Sequence, residues 1–221
     1  LLPVCFTLAL TRRTMLKNWR KKLFATLLAK GGEKFEIKVS PFKKRIFPDF
    51  TGKTILEIGA GAGVNLQYYQ TVRTVYLVEP NKYLHRYILE KNETRKQDIK
   101  LLESFAENLA LPDGSVDVVV STFVLCSVKN VEQVVREIAR VLKPGGQFVF
   151  IEHVAADRGF TQVAQKLFKP ILRCLGDGCD CRRDTLVLIN RSGAFAHVEA
   201  RIDYAVPTLV FRPWLIGVAR R

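Results

Sequence analysis

Three glycines at positions 59, 61 and 63 form the most distinctive motif in the sequence. They follow an apolar segment, residues 54–58, and precede a predicted helix that starts at residue 64, so they join a strand to a helix. Glycines at such a turn let a ligand lie against the backbone, because any Cβ would obstruct it. A dinucleotide-binding loop would have its third glycine at position 64, where valine stands. The spacing therefore indicates a different kind of nucleoside site.

Two acidic residues stand where they could bind the polar ends of such a ligand. Glu57 lies two residues before the first glycine, and Glu79 ends a second predicted strand, 20 residues after Gly59. A carboxylate at the end of that strand can accept hydrogen bonds from both hydroxyls of a ribose. Glu57 suits a positively charged group, which it could bind directly or through water.

The motif Glu57-Ile58-Gly59-Ala60-Gly61-Ala62-Gly63 resembles motif I of the class I S-adenosylmethionine (SAM)-dependent methyltransferases. SAM carries no phosphate, so its loop binds an amino acid with a charged ammonium group instead. Residues 105–117 resemble the loop that covers adenine in this family, with Phe105 or the Ala106 backbone in contact with the ring. The resemblance implies SAM as the cofactor and the following binding residues: Glu57, Gly59, Ala60, Gly61, Gly63, Glu79, Pro80, Phe105, Ala106, Ser121 and Thr122.

Three later segments narrow the resemblance: Leu125-Cys126-Ser127-Val128, Glu152-His153-Val154-Ala155 and Gly176-Asp177-Gly178-Cys179. With a basic, apolar N-terminal lead, they are similar to the membrane-bound alkyl-thiol S-methyltransferases of the methyltransferase-like family. This resemblance implies small thiol substrates. It also implies attachment to the endoplasmic reticulum or to lipid droplets, with the catalytic domain facing the cytosol.

The candidate catalytic residues are His153, Asp177 and Cys126. His153 is the expected general base, because it ends the fifth predicted strand and imidazole titrates near neutral pH. Asp177 is the second candidate. The residues alone leave open a purely structural role for His153 and for Cys126, since free cysteine is often buried and inert.

The five cysteines do not indicate a disulfide framework, because their number is odd and the chain is not small. Cys174, Cys179 and Cys181 have the spacing Cys-x4-Cys-x-Cys, which is not typical of zinc sites, and no fourth ligand is evident. We therefore expect no metal ion.

Alternating apolar segments and helical patterns must position these residues. They predict an α/β fold over residues 48–221: a Rossmann-like, doubly wound, seven-stranded sheet that is mostly parallel, with an antiparallel last strand. The predicted strands are 54–58, 75–79, 99–102, 116–121, 147–154, 197–204 and 214–219. Helices are predicted from residue 64 and over 82–96, 131–142, 161–174 and 184–192.

The N-terminal segment, residues 1–47, differs from the rest in charge and pattern. Residues 1–50 hold 12 Lys and Arg against three acidic residues, whereas the whole chain has a net charge of +14. Residues 1–10 are almost wholly apolar, and residues 12–30 predict a basic amphipathic helix that ends at Gly31-Gly32. Such a segment could be part of a membrane anchor, an interfacial helix or a lid on the domain.

Other functions are open to the same sequence. The acceptor could be a quinone precursor, a sterol or a phospholipid headgroup, or the chain could be a SAM-binding membrane scaffold without turnover. The complete cofactor motif argues against a scaffold. An RNA substrate is disfavoured, because the basic residues precede the domain and the tetrapeptide that holds flipped bases is missing after the fourth strand. The sequence does not determine the oligomeric state.

Overall fold

Seven apolar segments pair into one sheet in a computed structural model that describes residues 2–206 and 208–221, without the side chains of residues 2–14 and Lys17. The strands are β1 Thr54–Ile58, β2 Thr74–Val78, β3 Ile99–Leu102, β4 Val116–Thr122, β5 Leu142–His153, β6 His197–Asp203 and β7 Trp214–Arg220. The helices are α1 Leu2–Ile46, α2 Lys82–Arg95, α3 Val131–Val141, α4 Gly159–Leu175 and α5 Thr185–Arg191.

The strand order is β3-β2-β1-β4-β5-β7-β6, which confirms the predicted doubly wound sheet. Strands β1 to β5 pair in parallel, and β7 lies antiparallel between β5 and β6. The winding direction reverses between β1 and β4. Ligands of such sheets bind at this point, beside the carboxyl ends of the strands.

Apolar side chains of the central strands alternate between the two faces of the sheet. In β1, Leu56 and Ile58 join a core with α3 and α5, whereas Ile55 packs in a second core with Ile88 of α2. Strand β4 is buried almost along its whole length, as expected of a parallel strand that is covered on both faces.

Helix α1 is longer than predicted, and the expected end at Gly31-Gly32 is wrong. Each glycine disfavours a helix by about 1 kcal/mol relative to alanine, but packing of the following residues overrides this preference. Val39 is buried with Trp214, and Phe35 and Phe42 pack against the same cluster.

The predicted helix from residue 64 is a short 3-10 helix, Val64–Tyr68. Gly63 before it is left-handed, with φ of 72°, so the glycine loop enters this turn in a conformation that favours glycine. Strand β5 begins at Leu142, five residues before its predicted start, whereas the other predicted elements lie within two residues of their observed bounds.

Among the described residues, no helix carries a stretch that is both long and apolar enough to cross a bilayer. The predicted membrane anchor includes residues 1–10. Leu1 and the side chains of residues 2–10 lie outside the part of the chain that the structure describes.

Candidate functional site

A cavity of about 600 Å³ lies at the carboxyl ends of β1, β2, β4 and β5, beneath α1. The size suits a ligand as large as a nucleoside with an amino acid tail together with a small acceptor. Eleven predicted site residues line it: Glu57, Gly59, Ala60, Gly61, Glu79, Pro80, Phe105, Ala106, Thr122, His153 and Asp177. Helix α1 contributes Lys21, Phe24, Leu28, Gly32, Phe35, Glu36, Val39 and Lys43.

The glycine loop forms one wall of the cavity, in a left-handed conformation that favours glycine. Gly59 has φ of 60°, and a Cβ on it would lie 2.5 Å from Cγ2 of Val124. Gly61 also has a positive φ, and a Cβ there would approach Leu28 of α1. A side chain at Gly59 would therefore displace Val124, which itself lines the cavity.

Glu79 is a buried carboxylate held in place by backbone groups. Its Oε2 accepts a hydrogen bond from Gly61 N at 2.9 Å, and its Oε1 accepts one from Asn81 N at 2.8 Å. Burial raises the pKa of Glu79 to about 7, although these two bonds act in the opposite direction. Lys21 of α1 donates to the carbonyl oxygen of Pro80 at 3.3 Å. The carboxylate thus keeps free lone pairs at the place where the ribose hydroxyls are expected.

Glu57 lies deeper, with an unused acceptor at its tip. Asn65 bridges it to the other wall, because its Nδ2 lies 2.8 Å from Glu57 Oε1 and 3.2 Å from Thr122 Oγ1. Glu57 Oε2 and Asn65 Oδ1 are buried without a hydrogen-bond partner among the described residues. Burial raises the pKa of Glu57 to about 7, whereas hydrogen bonding by the buried Tyr69 and by Asn65 acts in the opposite direction. Two unpartnered buried acceptors fit the ammonium group of the expected cofactor, which would donate to them.

A buried ion pair attaches α1 to this end of the cavity. Lys43 pairs with Glu36, about two helical turns earlier, and Tyr68 donates to the other oxygen of Glu36 at 2.6 Å. Burial lowers the pKa of Lys43, whereas Glu36 raises it. The middle of α1 is therefore a fixed part of the site wall.

Phe105 and Ala106 lie where the family pattern expects the adenine. Ala106 is buried, whereas the Phe105 side chain is 55% exposed and lies beneath Lys129, with Nζ 5.4 Å from the ring centroid. Both residues line the cavity, so a ring can stack on Phe105 or contact the Ala106 backbone.

His153 lies at the opposite end, among aromatic and sulfur-bearing side chains. Its ring stacks on Phe123 with centroids 4.2 Å apart, and Phe211 lies 5.0 Å away. Its Nδ1 is 3.7 Å from Cys126 Sγ and 3.8 Å from Cys179 Sγ. The hydrogen bond with Cys179 and burial raise the pKa of Cys126. Cys126 lowers the pKa of Cys179, but Cys181 and burial together raise it above its usual range. Aromatic and sulfur-bearing side chains thus predominate at this end of the cavity.

Three predicted residues do not line the cavity. Ser121 is buried and donates to Glu152 Oε1 at 2.5 Å, so it supports the strand edge instead. Gly63 packs against Ile88 and Leu66, where a Cβ would lie 3.2 Å from either. Cys126 does not line the cavity itself, but it contacts His153 and Cys179, which do.

Sequence reasoning missed Asn65 and the individual lining residues of α1, although a lid was one of the roles that it left open for this segment. Asn65 is the first polar residue after the glycine loop, and its place two residues beyond Gly63 is a signal that could have found it. The α1 residues carry no comparable signal, because their role depends on where the helix packs. The contact between Cys126, His153 and Cys179 was also missed, since the cysteine spacing had pointed to Cys174 and Cys181.

Comparison with known proteins agrees with this geometry. A family described as a methyltransferase domain matches residues 56–150. Human thiol S-methyltransferase TMT1A is 31% identical over 90% of this chain and 86% of its own length, and rat TMT1B is 34% identical over 89% and 82%. The fold is similar to an S-adenosylmethionine-dependent methyltransferase from Mesorhizobium loti, with a TM-score of 0.65, 20% identity and coverage of 83% and 98% of the two chains.

The glycine loop, the two buried carboxylates and the doubly wound sheet thus occur together with extensive similarity to known enzymes. The chain is an enzyme with S-adenosylmethionine as its cofactor, and it belongs to the SAM-dependent methyltransferases, in the family that includes the thiol S-methyltransferases TMT1A and TMT1B.

Proposed function

We propose that this enzyme methylates the sulfur of small thiols and that it works at a membrane surface. The main observation in favour of a thiol acceptor is the lining of the cavity. One cavity joins the cofactor loop to an apolar end that is lined by Phe123, Val124, His153 and Phe211. Relatives whose names state thiol S-methylation, at 31–34% identity, support the same acceptor.

An apolar end suits a thiol better than a phosphate-bearing headgroup. A small alkyl thiol can bury its carbon chain there, because the aromatic walls demand no hydrogen bonds. Its sulfur reacts as the thiolate, which is a stronger nucleophile when water is excluded. The site must therefore stabilise a thiolate next to the cofactor.

Different residues of the cavity bind the cofactor and stabilise the thiolate. When bound, SAM supplies a methyl group on a positively charged sulfur, which a nucleophile takes by in-line displacement. Glu57 and Glu79 hold the cofactor at its cationic end and at its ribose. His153, which lies next to Cys126, favours the thiolate form of the acceptor. Asp177 lines the same cavity, where its charge contributes to the raised pKa of Glu79.

Methyl transfer from labelled SAM to a panel of acceptors tests the substrate class. The panel holds a small alkyl thiol, a catechol, a phosphatidylethanolamine and an RNA oligomer. We expect product with the thiol alone. Product only with the lipid or the catechol would replace the thiol by that acceptor, and tight SAM binding without any product would indicate a non-catalytic scaffold.

The exposed surface of α1 and α4 supports the membrane part of the proposal. Helix α4 exposes a row of apolar side chains: Phe160, Val163, Leu167, Phe168, Ile171 and Leu175. Met15, Leu16 and Trp19 of α1 are exposed as well, and Arg20 joins the two helices by donating to the Cys174 carbonyl oxygen at 2.8 Å. Lysines and arginines border these apolar residues, a composition typical of helices that bind an anionic interface.

Flotation with anionic and neutral lipid vesicles tests this attachment. The double variant Phe160→Ser/Leu167→Ser should bind anionic vesicles at least about tenfold more weakly, because two exposed apolar anchors are lost. Leu89→Ser is the matched control, since Leu89 is also half exposed but lies on α2. Equal binding by all three proteins would contradict a role for α4. Cell fractionation tests the locations that the resemblance implies, the endoplasmic reticulum and the lipid droplet.

A further inference from the structure

Three buried side chains from distant parts of the chain meet beside the acceptor end of the cavity. Cys126 follows β4, His153 ends β5, and Cys179 follows α4. The Sγ atoms of Cys126 and Cys179 are 3.4 Å apart, and Nδ1 of His153 lies 3.7 and 3.8 Å from them. We propose that these three residues bind a zinc ion, or a similar soft divalent cation, whose fourth position takes the sulfur of the acceptor thiol.

The distances agree with one tetrahedral centre. Zinc lies about 2.3 Å from sulfur and about 2.0–2.1 Å from imidazole nitrogen, so its ligands stand about 3.5–3.8 Å apart. The three observed separations, 3.4, 3.7 and 3.8 Å, lie close to that range. Two sulfurs and one imidazole nitrogen are also the ligand types that zinc prefers over magnesium or calcium.

Burial and charge favour a cation at this position. All three side chains are buried, and thiols are weak hydrogen-bond donors, so three groups face one another with little to hold them together. Cys126 and Cys179 would bind as thiolates, and metal binding would release their two protons to solvent. Two thiolates and a divalent cation form a neutral group, which costs far less to bury than separate charges.

The number of protein ligands distinguishes a catalytic zinc site from a structural one. Structural zinc sites have four protein ligands, whereas catalytic sites have three and leave one position open. Cys181 lies 3.5 Å from Cys179, but it is not part of the group of three, and its thiol can donate to the Cys179 thiolate. His153 and Cys179 line the cavity, so an acceptor bound there can supply the fourth ligand.

This arrangement defines how His153 favours the thiolate. Ligation through Nδ1 places the ring proton on Nε2, so His153 acts as a metal ligand and not as the proton acceptor. The acceptor thiol loses its proton to solvent when its sulfur binds the cation, because the positive charge lowers the thiol pKa. The role of the metal rests on the proposed thiol methylation, whereas its binding does not.

Cobalt titration of the metal-free full chain, under reducing and anaerobic conditions, tests the site with the metal alone. We expect about one cobalt ion per chain, with the charge-transfer and visible bands of a tetrahedral thiolate complex, and displacement by zinc. Cys126→Ser, Cys179→Ser and His153→Gln should each bind at least about tenfold more weakly. Cys174→Ser is the matched control, because Cys174 is a free but exposed cysteine and should bind like the wild type.

A second measurement uses only the wild-type chain, so it tests the metal site even if the variants do not fold. Adding a small alkyl thiol to the cobalt form should shift the visible bands, as a new sulfur ligand enters the fourth position. Absence of cobalt binding, or equal binding by Cys126→Ser and Cys174→Ser, would overturn the metal site. If the metal-free chain methylates the thiol at the wild-type rate, the metal inference fails and the proposed function stands. If cobalt binds through all three residues but no thiol is methylated, the metal site stands and the thiol function fails.

Discussion

The two carboxylates of the cofactor site lower the stability of the cofactor-free protein at neutral pH, but they contribute to cofactor binding. Glu57 and Glu79 are both buried, and burial raises the pKa of each from 4.5 to about 7. A carboxyl group whose pKa is higher in the folded chain contributes stability at low pH, and this contribution is lost as pH rises from about 4.5 to about 7. A bound cation offsets the negative charge of the buried carboxylates. The unfavourable burial of these two groups in the free protein therefore favours cofactor binding.

Replacing Glu57 by glutamine should therefore separate stability from binding. At about pH 8, without SAM, Glu57→Gln should raise the free energy of unfolding by up to about 3 kcal/mol, with no gain at about pH 5. It should weaken SAM binding at least about tenfold, because a charged hydrogen bond is lost. Urea denaturation at both pH values and calorimetric titration with SAM measure the two effects.

Glu90→Gln is the control for this variant, since Glu90 is exposed on α2 and should change neither quantity. Unchanged SAM affinity in Glu57→Gln would mean that the carboxylate does not face the cofactor.

Cofactor binding by the wild type should weaken as pH falls. Below the pKa of about 7, protonation removes the negative charge of Glu57 and Glu79. The dissociation constant of SAM should rise by up to about tenfold per pH unit for each carboxylate between about pH 8 and about pH 6. Calorimetry across this range measures it, and a constant affinity would show that neither group ionises in step with binding.

The sequence predicted the residues of the loop better than their partners. Gly59, Gly61, Glu57 and Glu79 stand at spacings that a strand-to-helix turn constrains, so their position follows from local structure. Asn65 and Lys43 reach the same ligand end through tertiary packing, which no local pattern encodes. Cys126 and Cys179 meet across 53 residues for the same reason.

At the scale of elements, helix α1 is the main departure from expectation. Two glycines and a basic, amphipathic pattern predicted an end at residue 31, but the helix continues to Ile46 because its second half packs on β5 and β7. The strands were easier, since short apolar runs between turns leave few alternatives. The structure thus favours a lid role for residues 21–43, and exposes Met15 and Trp19 for other contacts.

The aromatic contacts of α1 should carry much of this packing. Phe35 lies 5.6 Å from Phe123 and 5.9 Å from Trp214, between ring centroids. Phe35→Ala should lower the free energy of unfolding by about 2–4 kcal/mol, because a large, partly buried ring leaves a cavity. Urea denaturation measures the loss.

Ile37→Ala provides the comparison, because Ile37 is 74% exposed and two residues further along the same helix. It should change stability by less than about 0.5 kcal/mol. Equal losses in both variants would indicate that α1 does not dock through Phe35.

At the scale of the whole molecule, one cavity connects the cofactor site with the proposed acceptor site. The sheet supplies the glycine loop and both carboxylates from one side of the winding reversal, and β4, β5 and the segment after α4 supply the acceptor end from the other. Helix α1 closes the cavity over both. The basic residues concentrate in this helix, so in the proposed membrane attachment the element that covers the site would also orient it toward an anionic surface.

The most direct test of this account is methyl transfer from SAM to a small alkyl thiol by three proteins: the wild type, Gly59→Ala and Gly52→Ala. Both glycines have a positive φ, but a Cβ at Gly59 would meet Val124 at 2.5 Å, whereas one at Gly52 meets nothing within 4 Å. We predict the methyl thioether with the wild type and Gly52→Ala, and at least a hundredfold lower kcat/KM for Gly59→Ala, equivalent to about 2.7 kcal/mol. No thioether from the wild type, or an unimpaired Gly59→Ala enzyme, would contradict the claim that thiol methylation takes place in this cavity.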